Sequence, residues 1–132
     1  MSHRILELLL VFILSSCLHL SDNKNEIVKL QIAYDGMKNC ILFIKSAGAT
    51  VGDSYQISIL PYQEKLKNSD TGNIFIADDS GGGIPSDTSR VNFEWLSFDT
   101  VKVSFDKRLR VFKMNTKSKG ATIVYDSLSL TK

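Results

Sequence analysis

Few side chains in this sequence could serve as catalysts, because histidine is nearly absent from it. The chain of 132 residues has two histidines, His3 and His19, and both precede the long patterned part of the sequence. Ser-His-Asp and Cys-His catalysis both need an imidazole base, and zinc sites commonly take imidazole ligands. The sequence therefore argues against the commonest hydrolases and zinc enzymes, and we expect no catalytic residue, no metal site and no cofactor site.

The two cysteines offer the remaining nucleophilic chemistry, and Cys17 is the more informative of them. It follows an apolar run of seven residues, 8–14, and the two small residues Ser15 and Ser16. Three interpretations are open: Cys17 is a lipid attachment site, half of a disulfide with Cys40, or part of a membrane anchor. The run is far shorter than the ~20 apolar residues of a membrane-spanning helix, which disfavours a permanent anchor.

The segment Leu14-Ser15-Ser16-Cys17 resembles the bacterial lipobox, in which an aliphatic residue and two small residues precede a cysteine. The resemblance implies that residues 1–16 are a removed signal peptide and that the Cys17 thiol receives diacylglycerol, with ordinary secretion as the alternative. Two acyl chains give stable attachment where one is marginal. Residues 17–26 would then be the lipidated cysteine and a short polar tether. Leu18 in place of Asp resembles lipoproteins of the outer membrane, if the host is Gram-negative.

Cys40 and a group of aspartates are better explained by structure than by chemistry. Cys40 begins the apolar segment CILFIK, where a thiol packs as a small buried hydrophobe. Asp78, Asp79 and Asp87 flank a glycine-rich loop and could ligate calcium, but their spacing matches no EF-hand. We interpret them as turn residues whose carboxylates bond nearby backbone. The glycines of GGG and AGATVG match no phosphate-binding loop.

From residue 27 onward the sequence alternates apolar and polar residues between regularly spaced turn signals. The continuous apolar segment CILFIK predicts a strand buried on both faces, and NTKSKG predicts a hairpin turn between strands at 110–114 and 121–125. One face of the first strand is predicted to carry Val28, Leu30, Ile32 and Tyr34. Seven to eight short strands predict a single all-β domain over residues 27–132, a small antiparallel sandwich or rolled sheet.

The formal net charge of +2 gives no argument for nucleic-acid binding. Basic residues are nevertheless concentrated between positions 102 and 119, where only Asp106 opposes them. These residues are Lys102, Lys107, Arg108, Arg110, Lys113, Lys117 and Lys119. They could attract an anionic lipid surface or an acidic partner, or they could form a solvated hairpin whose long side chains cover apolar surface.

Two longer segments, GATVGDSYQISI and WLSFDTVKVSFDKRLRVF, resemble small, uncharacterised bacterial lipoproteins. The shared pattern is a Gly-Ala-Thr stretch before a strand, then a tryptophan, a turn and an alternating strand with an aromatic residue near its end. The residues that carry it are Gly48, Ala49, Thr50, Trp95, Asp99, Thr100, Val101, Val103 and Phe105. The resemblance implies export and a β-fold, and it carries no assigned activity.

These features together predict a lipid-anchored protein of the bacterial cell envelope that is not an enzyme. The expected partners are the membrane, through a lipid on Cys17, and a protein or other component of the envelope, but no nucleic acid. An immunity-type inhibitor of an exported toxin is a narrower form of this hypothesis. A small-ligand module that uses the loops around Gly48 and Gly81 is the alternative, and an enzyme that uses carboxylates without histidine comes third.

Overall fold

A computed structural model describes residues 24–46, 53–79, 81, 83–84 and 87–129 of the chain. In this part of the chain, nine strands form two sheets. The first sheet, in the order β1-β2-β3-β4-β7, consists of β1 (Asn25–Ile32), β2 (Lys38–Lys45), β3 (Ser54–Pro61), β4 (Phe75–Asp78) and β7 (Arg110–Met114). The second sheet, in the order β5-β6-β9-β8, consists of β5 (Val91–Trp95), β6 (Thr100–Asp106), β8 (Lys117–Ser118) and β9 (Ala121–Leu128).

The inner faces of the two sheets share one apolar core, as expected of a sandwich. Tyr55 and Ile57 of β3 are buried there together with Phe93 of β5 and Val101 of β6. The rings of Phe75 and Phe105, one from each sheet, lie 5.3 Å apart between centroids. The structure thus confirms the predicted all-β sandwich, with nine strands in place of the seven or eight expected.

The prediction that CILFIK is buried on both faces is confirmed in β2. Cys40 and Leu42 face the shared core, whereas Ile41 and Phe43 lie in a second cluster on the outer face of the sheet. Leu66, from the segment after β3, packs on this second cluster. A segment with polar sequence therefore provides the cover that β2 needs.

The predicted single apolar face of β1 is wrong, because the strand contains a bulge. Its register with β2 shifts between Ile27 and Lys29. A bulge adds one residue to a strand and reverses the facing of the residues that follow it. Val28 consequently packs against the shared core, while Leu30 and Ile32 lie on the outer face and are exposed.

The predicted hairpin between 110–114 and 121–125 is also wrong, because the chain changes sheets there. β7 belongs to the first sheet, and β9 pairs in parallel with β6 in the second. The two-residue strand β8 pairs with β9 instead. Lys119 and Gly120 connect them with φ values of 51° and 77°, the pair of positive φ angles that a tight hairpin turn needs.

Candidate binding groove

An apolar groove lies on the outer face of the first sheet, on the side away from the shared core. Its floor is formed by Ile27, Leu30 and Ile32 of β1 and by Ile41 of β2. The three β1 side chains are 51, 49 and 44% exposed. The groove has a volume of about 640 Å³. The β1 bulge is its cause, because it moves Leu30 and Ile32 to the outer face beside Ile27.

The opposite wall of the groove is the segment 62–66, which turns back over the sheet after β3. The backbone N–H of Tyr62 donates to the carbonyl of Met37 at 3.1 Å, and that of Glu64 donates to Pro61 at 3.0 Å. Leu66 fixes the end of the wall by packing on the second apolar cluster. The wall is therefore held by backbone bonds and by one buried apolar side chain.

The residues that follow this segment are hydrogen-bonded to β1, the edge strand of the first sheet, and to its neighbour β2. The Nδ2 of Asn25 donates to the carbonyls of Lys67 and Asp70, at 2.9 and 3.0 Å. The Nζ of Lys45 donates to the same Asp70 carbonyl at 3.0 Å. At Gly72 the chain passes so close to the sheet that a Cβ atom would lie 2.5 Å from the Phe75 carbonyl oxygen. These contacts make the groove a preformed feature of the fold.

Asn39 is the buried polar residue of the groove, with an exposure of 6%. Its Nδ2 donates to the carbonyl of Tyr62 at 2.8 Å, which fixes the orientation of the amide because a carbonyl can only accept. The remaining atom, Oδ1, has no hydrogen-bond partner among the residues that the structure describes. Leaving a buried acceptor unpaired costs about 1–3 kcal/mol. A bound group that donates to Oδ1 would remove part of that cost.

Sequence reasoning did not find this groove. The sequence suggested the loops around Gly48 and Gly81 as a ligand site. Gly48 lies outside the described residues, and Gly81 is an exposed turn residue with φ +74°. The available signal was Tyr62 and Leu66, two large apolar residues inside the polar segment YQEKLKNSDTG. The bulge that completes the floor has no comparable signal, since it depends on strand pairing.

Of the two cysteines, Cys40 is described, and Cys17 lies outside the described residues together with the predicted signal segment. Cys40 is a free thiol, fully buried in the shared core. Burial raises the pKa of this thiol far above its usual range, because the apolar surroundings disfavour the thiolate. A protonated, inaccessible thiol is not a nucleophile.

The three aspartates suspected of calcium binding do not come together as ligands. Asp78 accepts a bond from Arg110 Nε at 3.1 Å, and Asp79 is buried. The Oδ1 of Asp87 accepts from the backbone N–H of Ser89 at 2.8 Å, which caps a short 3-10 turn. That bond lowers the pKa of Asp87. Within the described ranges, no three metal-ligating side chains are close enough together to hold an ion.

The basic residues between 102 and 119 are spread over three strands and their turns, and four of them contact a neighbouring acceptor. The contacts join Lys102 to Glu94, Arg108 to Asp106, Arg110 to Asp78, and Lys113 to the carbonyl of Gly72. Arg110 also lies over the ring of Phe112, 5.0 Å from its centroid. This arrangement divides the positive charge among local acceptors and places none of it on the groove.

A buried ion cluster in the second sheet also escaped the sequence analysis. Asp106 is fully buried and accepts hydrogen bonds from Arg108 and from Arg90. The bonds from Arg108 lower the pKa of Asp106 well below its usual range, although burial acts in the opposite direction. The cluster joins the 3-10 turn at Thr88–Arg90 to the end of β6, and its role is structural.

The fold and the groove thus define a small two-sheet β-sandwich with an apolar cleft on the outer face of its first sheet. No helix within the described ranges has the length and apolar character to cross a membrane. Comparison with models of known families, with curated proteins and with solved structures finds no match for this chain.

Proposed function

We propose that this chain is a lipid-anchored lipoprotein of the bacterial cell envelope, and that its β-sandwich is a non-catalytic module that binds an envelope protein through the groove. Residues 1–16 are its signal peptide, Cys17 carries the lipid, and the following residues tether the domain. The observation that carries the binding role is the groove itself. Half-exposed apolar side chains of β1 form its floor, and hydrogen bonds hold the loop that forms its wall against the sheet.

The chemistry of the described residues supports binding more than catalysis. The two histidines of the sequence fall at positions 3 and 19, before the sandwich. The buried thiol of Cys40 is held in its protonated form. The carboxylate of Asp106, whose pKa is strongly lowered, lies at the end of β6 and acts as the counter-ion of two arginines. The groove offers the apolar contact area of Ile27, Leu30, Ile41 and Leu66, and its two charged residues, Glu64 and Lys65, are exposed on the wall segment.

A protein partner suits the groove better than a small molecule because the groove is open along β1. Small-ligand sites usually enclose most of the ligand surface, whereas Ile27 and Leu30 remain half-exposed along the floor. An apolar segment of a protein would cover these side chains and gain the free energy of their burial. An inhibitor that neutralises an exported toxin is one protein-binding role that needs no more than such a surface.

A small-ligand module is the second candidate, and the volume of about 640 Å³ favours it, since ligand pockets commonly measure about 300–1,000 Å³. Asn39 would then supply the orienting polar group. Native mass spectrometry of the purified full chain distinguishes the two: a molecule of defined mass that stays bound would favour this candidate.

The proposed function is tested by comparing Leu30→Asp with Val124→Asp in the full chain. Both residues are exposed and apolar on strands, but Leu30 lies in the groove and Val124 on the outer face of the second sheet. A protein that co-purifies with the chain from envelope extract, identified by its peptide masses, should lose about tenfold or more of its recovery with Leu30→Asp. Its recovery should stay within about twofold for Val124→Asp. Equal recovery with both variants would contradict the assignment of the groove.

A further inference from the structure

Five large apolar side chains are exposed at one end of the sandwich, the end at which β1 and β5 finish. We call this surface the distal end, because it lies at the opposite end of β1 from Asn25, where the described chain begins its first strand. It consists of Tyr34, Met37, Tyr62, Leu96 and Phe98, which are 49–72% exposed.

Hydrogen bonds hold the three turns of the distal end against one another. The hydroxyl of Tyr34 donates to the carbonyl of Trp95, at 3.3 Å, which joins the β1–β2 turn to the end of β5. The Tyr62 N–H bond to Met37 joins the β1–β2 turn to the segment after β3. The β5–β6 turn is closed by the N–H of Leu96, which donates to the carbonyl of Thr100 at 2.8 Å. Three turns from both sheets therefore form one surface.

The distal end is continuous with the groove. Tyr62 belongs to both, since its side chain lines the groove and its backbone bonds to Met37. Ile32, the last groove residue of β1, comes directly before the β1–β2 turn. An apolar surface thus runs along β1 from Ile27 and over the end of the domain. Aromatic residues and methionine, which are frequent in protein interfaces, make up most of its distal part.

We propose that the protein partner binds across the groove and the distal end together, on the side of the domain that faces away from the anchoring membrane. This inference rests on the proposed function and adds the direction from which the partner approaches. It implies a partner that is held in the space beyond the anchoring membrane and whose contact surface is apolar.

The length of the tether is the argument for a protein and against the anchoring membrane as occupant. Seven residues, 18–24, separate Cys17 from Asn25, and the eight links of this chain span at most ~28 Å even when fully extended. The eight-residue strand β1 is ~25 Å long. The distal end could reach the membrane only if the tether were almost fully extended and the domain inverted. Phe98 and Leu96 at the distal end therefore face away from the anchoring membrane.

The charges of the distal end also argue against a lipid surface. Asp35 and Asp99 lie among its apolar side chains. Lys38 pairs with Asp35, with 3.8 Å between Nζ and Oδ2. Side-chain bonds from Ser97 and Thr100 lower the pKa of Asp99, so this carboxylate stays ionised at neutral pH. Lys38 offsets one of these two negative charges, and the other is a carboxylate that anionic headgroups would repel and that a protein partner can match with its own group.

Site-specific photo-cross-linking of the full chain in cells tests this inference. The photo-reactive residue p-benzoyl-phenylalanine is placed at Phe98 in the distal end, at Leu30 in the groove, or at Phe112 on β7. Phe112 is the matched control, since it is exposed to 62% where Phe98 is exposed to 57%. We expect the same protein to be joined to the chain from positions 98 and 30, and not from position 112. Phe98→Asp should lower the adduct formed from position 30 about tenfold or more, and Phe112→Asp should leave it within about twofold.

The other outcomes overturn the inference in distinguishable ways. A protein adduct from position 30 alone would leave the proposed function standing and remove the distal end from the interface. An adduct of position 98 with phospholipid would identify a membrane as the occupant, and an adduct with a second copy of the chain would identify self-association. Absence of any protein adduct from both positions would overturn the proposed function together with the inference. Equal resistance of all variants to limited proteolysis shows that each one folds.

Discussion

Arg90 and Asp106 form a buried ion pair, with 2.9 Å between Nη1 and Oδ2. Asp106 is fully buried, and Arg108 binds the same carboxylate from the partly exposed side. The pair fixes the turn before β5 to the end of β6, where the chain leaves the second sheet for β7. It therefore stabilises the connection between the two sheets and has no contact with the groove.

Asp106→Asn should destabilise the fold by about 3 kcal/mol at neutral pH, because it removes the buried carboxylate charge that Arg90 and Arg108 share. The arginine bonds lower the folded-state pKa of Asp106, so its ionised form stabilises the fold above the unfolded-state pKa of ~3.9. This contribution is lost as the pH falls from about 4 toward the folded-state pKa. Urea unfolding at pH 7, 5 and 3 measures it. The stability difference between the wild type and Asp106→Asn should shrink below about pH 4, whereas the exposed Asp126→Asn should match the wild type at each pH. A constant difference would contradict the assignment.

The strands of the shared core could be predicted from the sequence because each keeps one strict alternation. Val91, Phe93 and Trp95 of β5 are all buried, and so are the apolar positions of β3 and β6 on the same faces. Period-two alternation reports which side of a sheet is buried. It could not report the bulge in β1, because a bulge is a property of the pairing between two strands.

The assignment of strands to the two sheets could not be predicted from local sequence patterns either. β7 and β9 are close in sequence but belong to different sheets, and β9 pairs in parallel with β6. Lys119 and Gly120 do form a hairpin turn, but this turn connects β8 to β9 and not β7 to β9. The groove depends on the bulge and on the position of the segment after β3. It could therefore be recognised only in three dimensions.

Leu66→Ala should open the groove wall and destabilise the fold by about 2 kcal/mol, because it removes the side chain that covers Ile41 and Phe43. Exposed Lys67→Ala is the matched control, since the neighbouring Asn25 bonds its backbone carbonyl and not its side chain. Urea denaturation gives the free energy of unfolding for both. A loss of less than about 0.5 kcal/mol for Leu66→Ala would show that the segment after β3 does not depend on this contact.

Cys40 should be unreactive in the folded protein. Burial raises the pKa of its thiol, and thiolate is the form that reacts. In a chain with Cys17→Ser, which leaves Cys40 as the remaining cysteine, alkylation by iodoacetamide at pH 8 should be about a hundredfold slower in buffer than in 8 M urea, because it waits for opening of the core. The same chain with Cys40→Ala gives the background. Comparable rates in buffer and urea would mean that the shared core around Cys40 is open to solvent.

We expect Cys17 to hold the chain at a membrane through a lipid, and metabolic labelling with an alkyne fatty acid tests this expectation directly. A diacylglyceryl group on the thiol would carry the label and would anchor the chain stably, since two acyl chains suffice where one does not. We expect strong labelling of the full chain and none of Cys17→Ser, while Ser16→Ala keeps the label because it preserves a small residue before the cysteine. Cys40→Ser should also keep it, since that thiol is buried in the shared core. Equal labelling after Cys17→Ser would refute the lipid anchor, and with it the argument that the tether presents the distal end away from the membrane.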